Sequence, residues 1–81
     1  MSRSEIFEKL TEIFRDIFDD DSIKISESTT AADFEYWDSL AQVRIMVTCE
    51  SEFNVKFDLN DIAAFKNVGD IADFIEKKLK R

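Results

Sequence analysis

Ile6, Leu10, Ile13, Phe14 and Ile17 recur at the three-and-four spacing of one helical face. Ser2 and Glu5 stand ahead of that run as an S-x-x-E capping box, in which each side chain satisfies a free backbone N–H. The first helix is therefore expected to start near Ser2. The acids Asp19, Asp20 and Asp21 close it poorly, because negative charge is disfavoured at a helix C-terminus. The stretch from 19 to 37, DDDSIKISESTTAADFEYW, has no clear period. It predicts a long connection pinned by Ile23, Ile25, Phe34 and Trp37, with a helical turn near Thr30 to Phe34. A second helix is predicted from Ser39 to about Phe53, with Asp38 as N-cap. A short third helix fits Leu59 to about Ala64 behind Asp58. A fourth fits Val68 to Leu79 behind Asn67, with Val68, Ile71, Ala72, Ile75 and Leu79 facing inward. Val55 and Phe57 alternate like a strand, but two residues make no sheet. The pattern predicts an all-α, four-helix bundle with one short third helix and a long loop between helices 1 and 2.

The second helix carries two apolar faces. With Leu40 at zero and about 100° per residue, Ile45, Met46, Cys49 and Phe53 fall between about 140° and 240°. That arc reads as core. Leu40, Val43 and Val47 gather between about 300° and 360°, flanked by Arg44 and Ser51 and bordered by Glu50. A second stripe needs its own explanation. Either part of it packs under the long loop, as Val43 is placed to do, or it docks another protein through apolar anchors and a charged rim. Leu40 and Val47 are expected to be docking residues.

Charge narrows the classes. The 81 residues hold 18 acids and 11 bases, a net of −7, and four of the bases lie in the last five residues. The body before that tail repels nucleic acid and anionic membranes and attracts basic partners. No run approaches the roughly 18 apolar residues of a membrane span. MSRSEIFEKL lacks the apolar run of a secretion signal. A single cysteine, expected in the core, allows no internal disulfide and fits a reducing cytoplasm. One domain, a monomer, is the expectation for this length.

Candidate chemistry then converges on Ser39. The chain has no histidine, so a Ser–His–Asp machine is impossible within it. G-x-S-x-G is missing, no lysine lies near Ser39 in sequence, and one cysteine without histidine builds no zinc site. Asp19 to Asp21 lack the glycine and closing glutamate of a calcium loop, leaving at most a weak cation contact. What Ser39 does have is the first turn of a helix, where free N–H groups and the dipole stabilise a phosphate ester. Taken alone, that position favours an ordinary helix-start serine.

Asp38-Ser39-Leu40 resembles the Asp-Ser-Leu signature of acyl carrier proteins. DSLAQVRIMVTCESEFNVKF resembles that family's second helix, including the closing Glu50-Ser51-Glu52-Phe53. Phe65-Lys66-Asn67-Val68-Gly69-Asp70-Ile71 resembles the start of its last helix. Length, acidity and the long first loop extend the likeness over essentially the whole chain.

The resemblance implies a non-enzymatic carrier. Ser39 would hold 4′-phosphopantetheine, transferred from coenzyme A by a phosphopantetheinyl transferase. The arm's thiol would carry acyl cargo as a thioester to acyl-loading and acyl-using enzymes. Asp38, Leu40, Val47 and Glu50 match positions that commonly contact such partners, with Val43 and Arg44 on the same face. Aminoacyl cargo, or a non-covalent interaction domain of the same fold, are the alternatives. Tyr36 stands where the family often has glycine, and it and Trp37 are expected to stiffen or cover the loop. Ala41 and Arg44 stand where acids are frequent, which points to a specialised carrier with its own partners.

Overall fold

The computed structural model describes residues 2–34 and 37–79. Tyr36 and the basic pair Lys80 and Arg81 lie outside them. Four helices follow one another: α1 (Arg3–Phe18), α2 (Ser39–Phe53), α3 (Leu59–Ala64) and α4 (Val68–Leu79). A 3₁₀ turn at Ala31–Asp33 interrupts the long first connection, where the sequence predicts a helical turn. The described residues contain no strand, and none of their helices is long and apolar enough to cross a membrane.

Local chemistry sets the boundaries. Ser2 Oγ accepts from the Glu5 N–H at 3.2 Å, and the Glu5 carboxylate accepts from the Ser2 N–H at 2.9 Å. The Ser2 backbone N–H, and after it the Ser2 hydroxyl, hold the Glu5 carboxyl below its usual range. Asp58 and Asp61 form the same reciprocal box at α3. Asn67 Oδ1 accepts from the Asp70 N–H at 2.8 Å and starts α4. The end of α1 is better made than the acid triplet suggests. Asp19 takes a left-handed conformation (φ 51°, ψ 49°), so the chain turns back and its N–H returns to the last carbonyls of the helix.

The core is a single cluster. Ile6, Leu10, Ile13 and Phe14 of α1 meet Ile45, Met46, Cys49 and Phe53 of α2 and Val68, Ile71, Ala72 and Ile75 of α4. Leu79, expected to face inward, is instead exposed, because α4 outruns the core in its last turn. The long connection is pinned as predicted, with Ile23 buried and Ile25, Phe34 and Trp37 packed against the cluster. Phe14, Phe18, Phe34 and Trp37 form a knot of rings at centroid distances of 5.2–6.4 Å.

The connection is also sewn to α4. The Thr29 and Glu27 carbonyls accept from the Val68 and Gly69 N–H groups at 2.8 and 2.9 Å. They occupy two donors that the first turn of a helix leaves free. Arg3 closes the seam, with guanidinium nitrogens 2.8 Å from Glu27, 2.8 Å from Asp73 and 3.5 Å from Glu76.

Candidate functional site at the start of helix α2

Ser39 is the first residue of α2, and two anchors fix where its hydroxyl points. Asp38, in extended conformation, caps the helix: its Oδ1 accepts from the Ala41 N–H at 2.9 Å. Its carbonyl accepts from the Gln42 N–H at 2.9 Å. One residue earlier, the Trp37 ring lies edge-on to Phe14 at 5.2 Å, and its Nε1 donates to Gln42 Oε1 at 2.6 Å. The chain thus enters the helix with Trp37 held inward and Ser39 exposed. The Ser39 side chain makes no hydrogen bond among the described residues, so no base is poised to activate it.

Open space flanks the serine. A shallow groove of about 410 Å³ runs beside it, lined by Ala31, Trp37, Asp38, Ser39 and Gln42. A cleft of about 150 Å³ shares Ala31, Trp37 and Gln42 and reaches Phe65 and buried Ile71. Trp37 and Gln42 therefore line the surroundings of Ser39; the sequence reading placed the Trp37 ring near the site but missed Gln42. The available signal was spacing, since Ser39 and Gln42 are three apart on one helical face.

The two-faced reading of α2 holds in its geometry. Ile45, Met46, Cys49 and Phe53 are buried, whereas Leu40, Val43 and Val47 are 70%, 58% and 57% exposed. Val43 does not cover the long loop, and none of the three packs beneath it. Arg44 is exposed too. Glu50 differs from the rest: it is half-buried, and its carboxylate accepts from the Phe57 N–H at 2.8 Å. It braces the connection after α2 while bordering the stripe. Burial pushes the Cys49 thiol up to about 12, so it stays protonated and unreactive at neutral pH. No group of three or more potential metal ligands forms among the described residues, so Asp19 to Asp21 do not converge on a cation. The Asp20 carboxylate instead accepts from the Ser22 N–H and hydroxyl at 2.9 and 2.6 Å.

Residues 8–75 match the family model described as "Phosphopantetheine attachment site". An acyl carrier protein of Thermotoga maritima is 40% identical over 78 residues, 96% of each chain. The chain belongs to the acyl carrier protein family. An acyl carrier protein of Thermosynechococcus vestitus is 33% identical over 98% of each chain. The solution structure of the holo acyl carrier protein from Geobacter metallireducens is 45% identical, with a TM-score of 0.87 over 93% of this chain and 86% of that one. The function is accordingly that of an acyl carrier rather than an enzyme, with 4′-phosphopantetheine covalently attached and acyl-handling enzymes as partners. The start of α2 fits such a group: it offers an exposed hydroxyl, a helix N-terminus for the negative phosphodiester and open space beside both.

Proposed function

We propose that Ser39 is the attachment residue, and that residues 1–81 act as one monomeric domain in the cytoplasm. The observation that carries this reading is the exposed Ser39 hydroxyl at the first turn of α2, without a hydrogen-bond partner among the described residues. When bound, 4′-phosphopantetheine supplies a thiol that holds an acyl group as a thioester. Ser39 Oγ takes up the phosphoryl end of that group from coenzyme A, and the nucleotide part leaves. With no base hydrogen-bonded to it among the described residues, Ser39 gives its proton to a phosphopantetheinyl transferase. Asp38 fixes the helix start so that the dipole's positive end meets the phosphodiester. Trp37, held by Gln42, keeps the loop from folding over the site. The cytoplasmic assignment is supported by a single, buried cysteine, which suits a reducing compartment.

The exposed stripe is the docking face in this reading. Leu40, Val43 and Val47 supply apolar contact, and Asp38, Arg44 and Glu50 supply the charge around it. An acidic body favours partners with basic docking patches. Arg44 departs from that pattern and marks a carrier with dedicated partners in a specialised pathway.

The test is incubation with coenzyme A and a broad-specificity transferase, read by intact mass. The wild type should gain one phosphopantetheine and Ser39→Ala none. An unmodified wild type across several transferases, or a modified Ser39→Ala, rules the assignment out.

A further inference from the structure

We propose that the acyl-handling partner docked on α2 presents a carboxylate side chain to Arg44, so that this residue selects partners by charge sign. This rests on the reading of the α2 stripe as the docking face. Arg44 lies one turn after Leu40 and three residues before Val47, so it flanks the stripe as a direct neighbour of both. Leu40, Arg44 and Val47 are all exposed. A partner covering Leu40 and Val47 therefore also covers the guanidinium.

The other described arginines are committed elsewhere. Arg3 pairs with Glu27 and Asp73, and Arg15 donates to the Ile23 carbonyl at 2.9 Å. Arg44 has no hydrogen bond or ion pair among the described residues. Covering a bare cation with a protein surface is unfavourable unless the opposite charge meets it. A planar guanidinium is best met by a carboxylate, through two parallel hydrogen bonds.

Space and charge agree. Arg44 stands on the wall of an open depression of about 250 Å³, lined also by Ile17, Phe18, Asp38, Leu40 and Ala41. An acidic side chain can lie there with its methylenes against Phe18 and Leu40 and its carboxylate at Arg44. Asp38, on the same wall, asks for a base. The partner surface is thus mixed, with an acid facing Arg44 inside an otherwise basic patch. A uniformly basic docking face is repelled at this point.

The test uses the carrier purified from its own cells as wild type, Arg44→Glu, Arg44→Lys and Ser39→Ala. Intact mass gives the fractions that are bare, arm-bearing and acyl-loaded, and circular dichroism checks the fold. Arg44→Glu should lower the loaded fraction roughly tenfold with unchanged helicity, while Arg44→Lys stays near wild type. Selection for restored loading in the Arg44→Glu background should recover an acid-to-base change in a partner enzyme. If Arg44→Glu is made but never receives the arm while Arg44→Lys does, the charge is read by the transferase and not by an acyl-handling enzyme, and the proposal is overturned. Equal loading of Arg44→Glu and wild type, or equal loss in Arg44→Lys and Arg44→Glu, would overturn it. An arm that survives Ser39→Ala overturns the attachment reading alone, so the two failures are distinguishable.

Discussion

The Gly69 N–H donates to the Glu27 carbonyl at 2.9 Å, and a Cβ at Gly69 would stand 2.7 Å from that same oxygen. The close approach lets a backbone carbonyl of the long connection sit on the first turn of α4. It is a packing demand, since Gly69 has no unusual backbone angle. Alanine should favour the helix by at most about 1 kcal/mol. Pushing the backbone oxygen away costs about 1–3 kcal/mol, as overpacking does. Gly69→Ala is therefore expected to be net destabilised and to melt several degrees lower in a thermal scan. An unchanged or raised midpoint would mean that the seam yields freely.

Arg3 guards the same seam by electrostatics. Each contact is partly exposed, so each contributes no more than about 1 kcal/mol and is screened by salt. Arg3→Met should lower stability by about 1 kcal/mol in low salt, measured by urea unfolding. The deficit should shrink in molar salt; one that persisted there would make Arg3 a packing residue instead.

Those two contacts mark where the sequence stopped being informative. Helix boundaries were legible because they are local: Ser2 with Glu5, Asp38 with Ala41, Asp58 with Asp61 and Asn67 with Asp70 lie within one turn. The buried and exposed faces of α2 were legible from the helical period. Ser39 was legible as a candidate through its place in the Asp-Ser-Leu signature and through the lack of any histidine. Arg3 reaching Glu27 and Asp73, or Glu50 reaching the Phe57 N–H, depends on how distant segments meet, and no period encodes that. Leu79 was misplaced for a related reason: its spacing is right, but the core ends before it.

The two faces of α2 predict opposite mutational outcomes. Leu40→Ser or Val47→Ser should change stability by less than about 0.5 kcal/mol, as exposed substitutions do. Acyl transfer by partner enzymes should nonetheless slow several-fold. Met46→Ala should cost about 2–5 kcal/mol, because it opens a hole in the core. Denaturant midpoints and partner turnover separate the cases. Unfolding of Leu40→Ser would place that residue in the core.

Cys49 yields a pH prediction with a definite sign. Its folded value is about 12, above the ordinary thiol, so the folded state keeps a proton that the unfolded chain loses first. Its contribution is fully present below about pH 8.5 and is lost as pH rises toward 12, at no more than about 1.4 kcal/mol per pH unit. The stability gap between wild type and Cys49→Ala should therefore narrow between those limits. Iodoacetamide at pH 8 should leave the native thiol untouched and label it only after denaturation. Rapid native labelling would show that the site opens.

Helix α3 has six residues and not one fully buried side chain. Its neighbours Phe57 and Phe65 meet Phe74 of α4 in a cluster of rings at 5.1–5.7 Å, and its own Ile62 packs only partly buried against the core. Segments with so little buried surface open at a fraction of the free energy of global unfolding. The amides of α3 should exchange with deuterium well before those of α1. Phe65 also walls the cleft that adjoins the Ser39 groove, so the bundle has a compliant flank there, able to make room without dissolving the core.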